Sequence, residues 1–491
     1  MNRMLRLVAV LLLAVVPAYA HVGNKDVYQT VTAGPYKLFV TVRTPTVIPG
    51  IATIEVRSVG AALTSVEVTP LPLAGEASKH PPTADAMVAS TADPAFFTGS
   101  LWIMASGSWQ VRFNLHGAAG DVTTGVPVPA VSTQMLKMQR PMAMLLAALG
   151  LLLVVGFVGI IAAAVRESRL APGLRADGPR RRRALVASAA ALVFAGLAVF
   201  YGGKWWDVEA ADYASNMHRN SEMRATLEGS QLKLLLGDAD KKNPGEWTKV
   251  KNSQLLPDHG HLMHLYAIRW PEMDAVFHLH PEPVGKAGLS MTLPAMPAGT
   301  YHLYADVVFS PSGFPETETA TLDVPAGVSS AALGTEDASA APAPLSAGPL
   351  GASYKLPDGY TMVWDKPAVL AANTALTLRF TLLDPGGKPA ADMQPYLGMA
   401  GHAAFVKTDG TAFAHTHPDG MAAMPSLMLA QASSLGKAGQ DPIAGMVMAS
   451  EPLSATVEFP YGFPSAGPYR IFIQMKHGST VETGVFDAEA K

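Results

Sequence analysis

The feature of this sequence that most constrains its fold is a histidine-bearing hairpin pattern that occurs twice. One copy spans 264–280 and the other spans 402–417. Each consists of two short runs of β-forming residues joined by a turn, which is typical of an antiparallel β-hairpin. Each copy begins with a histidine and ends with a His-x-His pair. The chain must therefore form at least two antiparallel ribbons that carry imidazoles.

The turn in the second copy fixes which histidines face each other. Residues 409–410 are Asp-Gly, a strong signal for a two-residue hairpin loop. Counting back along both strands from that loop places His402 opposite His417. His415 is two residues from His417 and shares its face of the strand. The three imidazoles are thus expected on one face of one ribbon.

The first copy predicts the same arrangement with a longer loop. A three-residue loop at 271–273 brings His264 opposite His280, with His278 beside them. Three imidazoles on one rigid sheet are a ligand set for copper or zinc. The alternative is a polar, solvated face of an antiparallel ribbon. We favour metal, because two hairpins of different length converge on the same pattern.

Two more histidines precede the first hairpin. His259 and His261 lie within the segment Asp-His-Gly-His at 258–261. If this segment folds over the face that carries His264, it supplies a fourth ligand or a second site. Histidine-rich tracts also bind metal adventitiously, so the two residues are weaker candidates than the paired set.

Composition excludes some functions and leaves others open. The chain has 491 residues, room for about three domains at the usual ~150 residues each. Its 36 basic and 39 acidic residues give a net charge of -3, which is no footprint for nucleic acid. It has no cysteine, so stability must come from hydrophobic cores, and thiolate ligands are excluded. The 23 methionines are soft ligands for Cu(I) or core fillers, and for most of them we expect packing.

Three apolar segments indicate export and membrane insertion. The first twenty residues end in Ala-Tyr-Ala, a signal-peptide cleavage signature that would leave His21 as the new N-terminus. Two later stretches, 142–165 and 184–201, are long enough to cross a hydrocarbon core of about 30 Å. The Arg-rich loop 166–183 between them is predicted to be cytoplasmic, which puts both flanking regions outside. The alternative for that loop is binding to anionic lipid or nucleic acid.

Short alternating strands punctuated by Pro and Gly predict a mainly β fold. We expect three immunoglobulin-like or cupredoxin-like β-sandwich domains, with a two-helix transmembrane hairpin between the first and second. In chain order the prediction is signal peptide 1–20, extracytoplasmic β-sandwich 21–140, transmembrane helices 141–203 with cytoplasmic loop 166–183, β-sandwich 204–325 with the first histidine hairpin, Ala/Ser/Pro linker 326–352 and β-sandwich 353–491 with the second hairpin. The composition of the linker is typical of a flexible tether.

His21 suggests a separate metal site. The terminal amine and the imidazole of a first residue can chelate one Cu(II) together, and a further imidazole completes such a histidine brace. His116 and His80 are the candidates in that region, with His116 on a predicted strand. The alternative is that cleavage before a histidine is coincidental.

A mature His21 start on a β-sandwich resembles the periplasmic copper-resistance protein C family and its relatives with a histidine brace. The order of N-terminal histidine, β-domain, two membrane spans and further β-domain is also similar to the B subunit of particulate methane monooxygenase. The copper ligands of that subunit include the N-terminal histidine and a nearby His-x-His. Only His21 carries over, since both His-x-His pairs of this chain follow the membrane spans. The resemblance implies copper ligation at His21.

Together these features predict a membrane-anchored periplasmic protein that captures, buffers or delivers copper, with zinc as second choice. Its expected partners are the metal ion, inner-membrane lipid and another copper protein of the membrane or periplasm. A copper-dependent oxygenase or oxidase subunit using His21 is one alternative, and an envelope scaffold without metal is another. Hydrolase, P-loop and dinucleotide motifs are absent from the sequence, which favours a carrier over an enzyme. The candidate metal ligands are His264, His278, His280, His402, His415, His417, His259, His261, His21 and His116.

Overall fold

The computed structural model describes residues 26–171, 173–239, 247–434 and 453–491. The predicted signal peptide and His21 lie outside the described residues. The chain divides into two compact units, one formed by Met1–Val131 with Asn220–Lys491 and the other by Ser132–Arg219. The fold is mainly β-sheet with two long apolar helices, as predicted.

The first part of the chain forms two antiparallel sheets around one hydrophobic core. Its strands are β1 (Val27–Ala33), β2 (Tyr36–Arg43), β3 (Gly50–Ser58), β4 (Ser65–Pro72), β5 (Asp85–Ala86), β6 (Val88–Ala89), β7 (Phe96–Ile103), β8 (Gly107–His116) and β9 (Val122–Ala130). Sheet 1 has the order β1-β2-β3-β7-β6, and sheet 2 has the order β5-β4-β8-β9. Alternate residues such as Val40 and Ile54 of sheet 1 pack on Val111 and Val126 of sheet 2.

The unit Ser132–Arg219 contains two long helices, α1 (Arg140–Glu167) and α2 (Gly178–Ser215). Both are long and apolar enough to cross a membrane, judged by length and composition. The Asp177 side chain caps α2 by accepting a hydrogen bond from the backbone N–H of Arg180. The alanines and mixed charges of 210–227 predict a short helix leaving the membrane, but only 210–215 is helical, as the end of α2. Good helix formers at 209–211 continue α2 to Ser215, and the next strand starts only at Glu222.

The middle of the chain forms two further sheets. Its strands are β10 (Glu222–Glu228), β11 (Gln231–Ala239), β12 (Trp247–Lys249), β13 (Leu255–Leu256), β14 (His264–Arg269), β15 (Val276–Leu279), β16 (Glu282–Pro283), β17 (Leu289–Thr292), β18 (Gly299–Phe309), β19 (Phe314–Val324) and β20 (Ala338–Ala340). Sheet 3 has the order β10-β11-β17-β16, with β12 on β11. Sheet 4 has the order β13-β18-β14-β15-β20, with β19 on β18. Leucines of both sheets fill the core between them.

The last part of the chain repeats this plan and adds one helix. Its elements are β21 (Ser353–Lys355), β22 (Thr361–Asp365), β23 (Leu376–Leu383), β24 (Met393–Gln394), β25 (His402–Lys407), β26 (Phe413–Thr416), α3 (Met424–Ser434), β27 (Thr456–Tyr461), β28 (Gly467–His477) and β29 (Thr480–Ala490). Sheet 5 has the order β21-β22-β23-β27. Sheet 6 has the order β24-β28-β25-β26, with β29 on β28. Aromatic residues such as Trp364 and Phe405 fill the core between them.

Sheets 4 and 6 also pack on each other through their outer faces. Tyr266, Ile268 and Val276 of sheet 4 contact a cluster that includes Val406 and Phe413 of sheet 6. Successive residues of a strand point to opposite faces, so one face of β14 lines its own core while the other lines this second interface. Both histidine hairpins are therefore buried on both faces.

The segment 326–352, predicted to be a flexible tether, is docked instead. Its strand β20 pairs with β15, with Ala338 opposite His278. Arg470, which is fully buried, donates to the carbonyl oxygens of Ala343 and of Met273 and pairs with Asp487. Composition favoured disorder, but pairing and these hydrogen bonds compensate the entropy of ordering the chain.

The sequence of 431–441 predicts an inserted loop, but 431–434 is the end of α3, and 435–441 lies outside the described residues. The helix is held against sheet 2, where Gln110 donates to the Ser433 hydroxyl at 2.7 Å. Its other end contacts the first histidine region, since the backbone N–H of Met424 donates to the Asp258 carboxylate. This helix therefore links the first part of the chain to the histidine-bearing sheets.

Candidate metal centre

The first trio, His264, His278 and His280, lies on the hairpin formed by β14 and β15. The observed register pairs Leu265 with Leu279, so His264 is opposite His280 as predicted. One ligand nitrogen from each histidine lies within 4.8 Å of the others, and all three side chains are buried. The pleat directs them away from the leucine core of sheet 4 and into its interface with sheet 6.

The hydrogen bonds around the first trio fix which ring nitrogen carries a hydrogen. Nε2 of His264 donates to the carbonyl oxygen of Asp258 at 3.1 Å. Nδ1 of His278 donates to Oε1 of Gln474 at 2.8 Å, and Nδ1 of His280 donates to the Asp337 carboxylate at 3.0 Å. These acceptors cannot donate, so the other nitrogen of each neutral ring is a lone pair.

The three lone pairs of the first trio point at one another. Nδ1 of His264 lies 3.2 Å from Nε2 of His278 and 3.2 Å from Nε2 of His280. No hydrogen lies between them, so none of these contacts is a normal hydrogen bond. Around a tetrahedral ion with metal–nitrogen bonds of about 2.0–2.1 Å, ligand nitrogens lie about 3.3–3.4 Å apart. The observed spacing suits a bound cation.

The second trio, His402, His415 and His417, repeats this geometry on β25 and β26. Ala403 pairs with Thr416, so His402 is opposite His417 as predicted. Nε2 of His402 donates to the carbonyl oxygen of Tyr396 at 3.3 Å, and its Nδ1 lies 3.1 Å from Nε2 of His415. The outer nitrogen of His415 donates to a carboxylate, Asp306, at 3.0 Å. A carbonyl and a carboxylate thus orient both trios.

His417 stands out because it is buried and, among the described residues, the backbone of Ala422 is the polar group near its ring. Only 4% of its surface is exposed. Neither ring nitrogen makes a well-aligned hydrogen bond with any residue that the structure describes, although the backbone of Ala422 lies nearby. An unpaired buried polar group costs about 1–3 kcal/mol, so this ring needs a ligand for its lone pair.

The two trios are neighbours in one cluster rather than two separate sites. Ring centroids of His264 and His415 lie 5.5 Å apart, those of His278 and His415 lie 5.4 Å apart, and those of His278 and His402 lie 6.0 Å apart. The sequence predicted a separate site on each hairpin. The structure brings them together because sheets 4 and 6 pack with their histidine faces toward each other.

The turns that precede both hairpins are also equivalent. Asp258 pairs with His261 across one tight turn, and Tyr396 pairs with Met399 across the other. In both turns the two central residues, 259–260 and 397–398, have positive φ. The carbonyl acceptors for His264 and His402 are the first residues of these turns. The duplication therefore extends beyond the hairpins themselves.

His259 and His261 lie on different sides of the cluster. The ring of His259 is 4.8 Å from that of His417 and 6.0 Å from that of His264, so it lies closer to the second trio than to the first. From the sequence we expected His259 to fold over the face of the first trio, but its ring lies nearer to the second trio. The ring of His261 packs at a tilt against that of His280, with centroids 4.3 Å apart, and its Nε2 lies 3.1 Å from Glu336 at the rim.

Burial favours the neutral form of six imidazoles in the cluster. Desolvation, followed by the neighbouring imidazoles, lowers the pKa of His264, His278, His402 and His417 well below the ordinary value of 6.5. Desolvation also lowers the pKa of His259 and His280. A neutral imidazole is the form that ligates a metal, so the site is prepared for a cation at neutral pH.

One predicted ligand, His116, does not join the cluster. His116 is partly exposed at the end of β8, with Nδ1 3.1 Å from Asp121, and belongs to none of the metal-competent groups among the described residues. The reason is topological, because β8 lies in sheet 2, away from sheets 4 and 6. His21 lies outside the described residues, so the brace stays a prediction.

Some polar residues of the site were not predicted from the sequence. Gln474, Asp306 and Asp337 orient the ligands, but each lies 57 or more positions from the ligand it contacts, and no local motif marks them. A second group, Asp358, His477 and Glu482, also has ligand atoms within 4.8 Å of one another. The Lys-His-Gly-Ser sequence at 476–479 predicts a turn residue at His477, whereas this residue is buried at the end of β28.

Comparisons with known proteins add little. The sequence model of a domain of unknown function (DUF8832) matches residues 354–491, which contain the second trio but not the first. No curated protein matches the chain.

Solved structures match the chain only distantly. An engineered protein aligns at 18% identity over 20% of this chain, with a TM-score of 0.15, and the chain spans 21% of that protein. The ICAM-5 D1–D4 ectodomain fragment aligns at 9% identity over 92% of this chain and 77% of its own, with a TM-score of 0.14. A putative membrane anchored protein from Corynebacterium diphtheriae aligns at 9% identity over 95% of this chain and 96% of its own, with a TM-score of 0.15. These TM-scores do not establish a shared fold.

Proposed function

We propose that this protein is a membrane-anchored, periplasm-facing metal-binding protein that captures, buffers or delivers copper, with zinc as the second candidate. The observation that carries the proposal is the orientation of the imidazoles. In the first trio the outer nitrogen of each ring is tied to an acceptor, and the three inner lone pairs converge. Ligating histidines in metal proteins are oriented by outer-shell acceptors in this way.

A cation explains the convergence better than protons do. Lone pairs at 3.2 Å repel each other unless a positive charge lies between them. Protonating a ring would supply a hydrogen, but burial disfavours the charged imidazolium, as the lowered pKa of His264 and His278 indicates. A solvated polar ribbon, the alternative considered for each hairpin, does not account for side chains that are almost fully buried.

Copper comes first because of ligand type and affinity order. Imidazole ligands suit both copper and zinc, and Cu²⁺ binds a given nitrogen site more tightly than Zn²⁺. Methionine adds no support for Cu(I). Met263 and Met296 pack in the core of sheets 3 and 4, and Met393 and Met475 pack in the core of sheets 5 and 6. Packing was the role expected for most of the methionines.

The rest of the proposal concerns architecture and location. We propose that the three pairs of sheets are three immunoglobulin-like or cupredoxin-like domains, and that α1 and α2 form a transmembrane hairpin. The Arg-rich loop between the helices would then face the cytoplasm, and the histidine cluster would face the periplasm. Its partners would be inner-membrane lipid and a copper protein that donates or receives the ion.

The test is equilibrium dialysis of the full-length protein in detergent against copper and against zinc. His264→Ala and His402→Ala each remove the central nitrogen of one trio, and we expect each to abolish tight binding at its own trio. His302→Ala is the matched control, because its ring stacks on Trp270 at 4.4 Å and lies outside both trios. Unchanged metal stoichiometry in the double variant His264→Ala/His402→Ala would contradict the proposal.

A further inference from the structure

We propose that the histidine cluster binds two metal ions side by side, and that the ion at the second trio also binds His259, so that it joins sheets 4 and 6. This inference rests on the proposed function, because it assigns the ions and ligands of that same site. It differs from a model with one ion bound to each hairpin, because the second site would take its ligands from sheet 6 and from the turn that precedes β14 of sheet 4.

The number of imidazole ligands in the two trios requires two ions. Zinc and copper sites with imidazole ligands are usually four-coordinate. The two trios already present six imidazoles, and their rings lie 5.4–6.3 Å apart across the interface. One ion cannot accept all six at ordinary bond lengths, whereas each trio by itself leaves room for one further ligand.

Among the imidazoles outside the two trios, His259 lies nearest to the second trio. Its side chain is 1% exposed, and its Nε2 makes no hydrogen bond with any described residue. A hydrogen bond joins the ring to the backbone of Leu397, at the equivalent turn of the other half. The ring lies 5.3 Å from His402 and 4.8 Å from His417. Ligand atoms of His259, His417 and Asp258 lie within 4.8 Å of one another.

The orienting groups cross the same interface. Gln474 of sheet 6 accepts from His278 of sheet 4, and Asp306 of sheet 4 accepts from His415 of sheet 6. One ligand of each trio is therefore held in its ligating orientation by the opposite sheet. Three carboxylates, Asp258, Asp306 and Asp337, lie next to the ligands and offset part of the repulsion between two adjacent cations.

The two sites then differ in how they can exchange their ions. With His259, the second trio makes a four-imidazole site with no position left for solvent, as in structural metal sites. The first trio keeps one coordination position open. Beside it lies His261, which packs against His280 and reaches the protein surface near Glu336. We assign retention to the second ion and exchange to the first.

The test compares His259→Asn with His261→Asn in the full-length protein. Asparagine tolerates the left-handed backbone at 259 and removes the imidazole. We expect the wild type to bind two Cu²⁺ or Zn²⁺ ions in equilibrium dialysis. His259→Asn should weaken one ion at least tenfold and leave the other unchanged, and His261→Asn should retain both tightly bound ions. Equal affinity for both ions in His259→Asn and wild type would overturn the inference while leaving metal binding intact.

Electron paramagnetic resonance of the wild type loaded with two Cu²⁺ ions gives an answer that does not depend on a variant. Adjacent ions are expected to show a half-field transition and a spectrum broadened by coupling. Two isolated mononuclear spectra would overturn the inference. A wild-type protein that binds no metal would instead refute the proposed function, and the inference with it.

Discussion

Replacing Gln474 tests whether sheet 6 orients a ligand on sheet 4. Oε1 of Gln474 accepts from Nδ1 of His278 at 2.8 Å and from the Tyr266 hydroxyl at 3.2 Å, and the side chain is buried. Gln474→Leu keeps the approximate volume but removes this acceptor. The His278 ring is then free to carry its hydrogen on Nε2, which would eliminate the lone pair that ligates.

Loss of an orienting partner usually costs 10–100-fold in metal affinity, or about 1.4–2.7 kcal/mol. The Tyr396 hydroxyl lies 3.3 Å from Nδ1 of His278 and remains as a weaker acceptor. We therefore expect the lower end, about tenfold, for the first trio and little change for the second. Gln474→Glu is the matched control, because a carboxylate accepts from both donors and should hold the affinity at or above that of the wild type.

The assay is competition for copper or zinc between the full-length protein and a chromophoric chelator, with thermal melting to confirm that each variant is folded. The reasoning is refuted if folded Gln474→Leu binds both ions within twofold of wild type. It is also refuted if Gln474→Glu loses as much affinity as Gln474→Leu, since the acceptor would then be irrelevant.

Three further predictions concern pH, the fold and topology. Buried histidines such as His264 and His402 have a pKa in the folded state below the unfolded value of 6.5, so the unfolded chain binds protons first as the pH falls. The metal-free protein should therefore lose stability as the pH falls below 6.5. A melting temperature that stays constant from pH 7.5 to 5.5 would contradict this. Because an imidazole ligates a metal only when it is neutral, the lowered pKa values in the folded protein also mean that metal affinity should begin to fall only at a pH below 6.5. Arg470→Ala should lower the free energy of unfolding in urea by about 3–5 kcal/mol, because it removes the charged partner of the buried Asp487 carboxylate. Arg379→Ala, at an exposed ion pair, is the control and should change this free energy little. Equal effects of the two substitutions would contradict the prediction. Because the chain has no cysteine, an impermeant maleimide should label Gln134→Cys in intact spheroplasts but label Leu174→Cys only after lysis, and the reverse pattern would refute the proposed topology.

The hairpins and their histidine registers followed from the sequence because they are local. A two-residue Asp-Gly turn fixes strand pairing without reference to the rest of the chain, and the observed pairing of Ala403 with Thr416 agrees with it. The long apolar helices were equally local, although α2 extends beyond the predicted span 184–201 at both ends.

The joining of the two trios was not local and was not predicted. The signal for it was present, since residues 264–268 and 402–406 are apolar on both faces of their strands. Such strands are buried on both sides, so the histidine faces had to meet something other than water. Which surface covers them depends on the packing of sheets 4 and 6, and periodicity alone does not identify it.

The docked linker and the crossing hydrogen bonds were missed for the same physical reason. Segment 326–352 has the composition of a tether, yet Asp337 within it orients His280. His259 was assigned to the nearer hairpin in sequence, although its ring approaches His417 of the other. Contacts between residues far apart in the chain depend on tertiary packing, which short motifs do not encode.

X-ray absorption spectroscopy at the copper edge tests the central claim most directly. The sample is the full-length protein, loaded with copper and dialysed to remove weakly bound ions. We predict a first shell of three to four nitrogens at about 2.0 Å, with the outer-shell scattering of imidazole rings, lost in His264→Ala/His402→Ala. A first shell of oxygens without imidazole scattering, or an imidazole shell unchanged in the double variant, would contradict the assignment of the buried histidines as ligands.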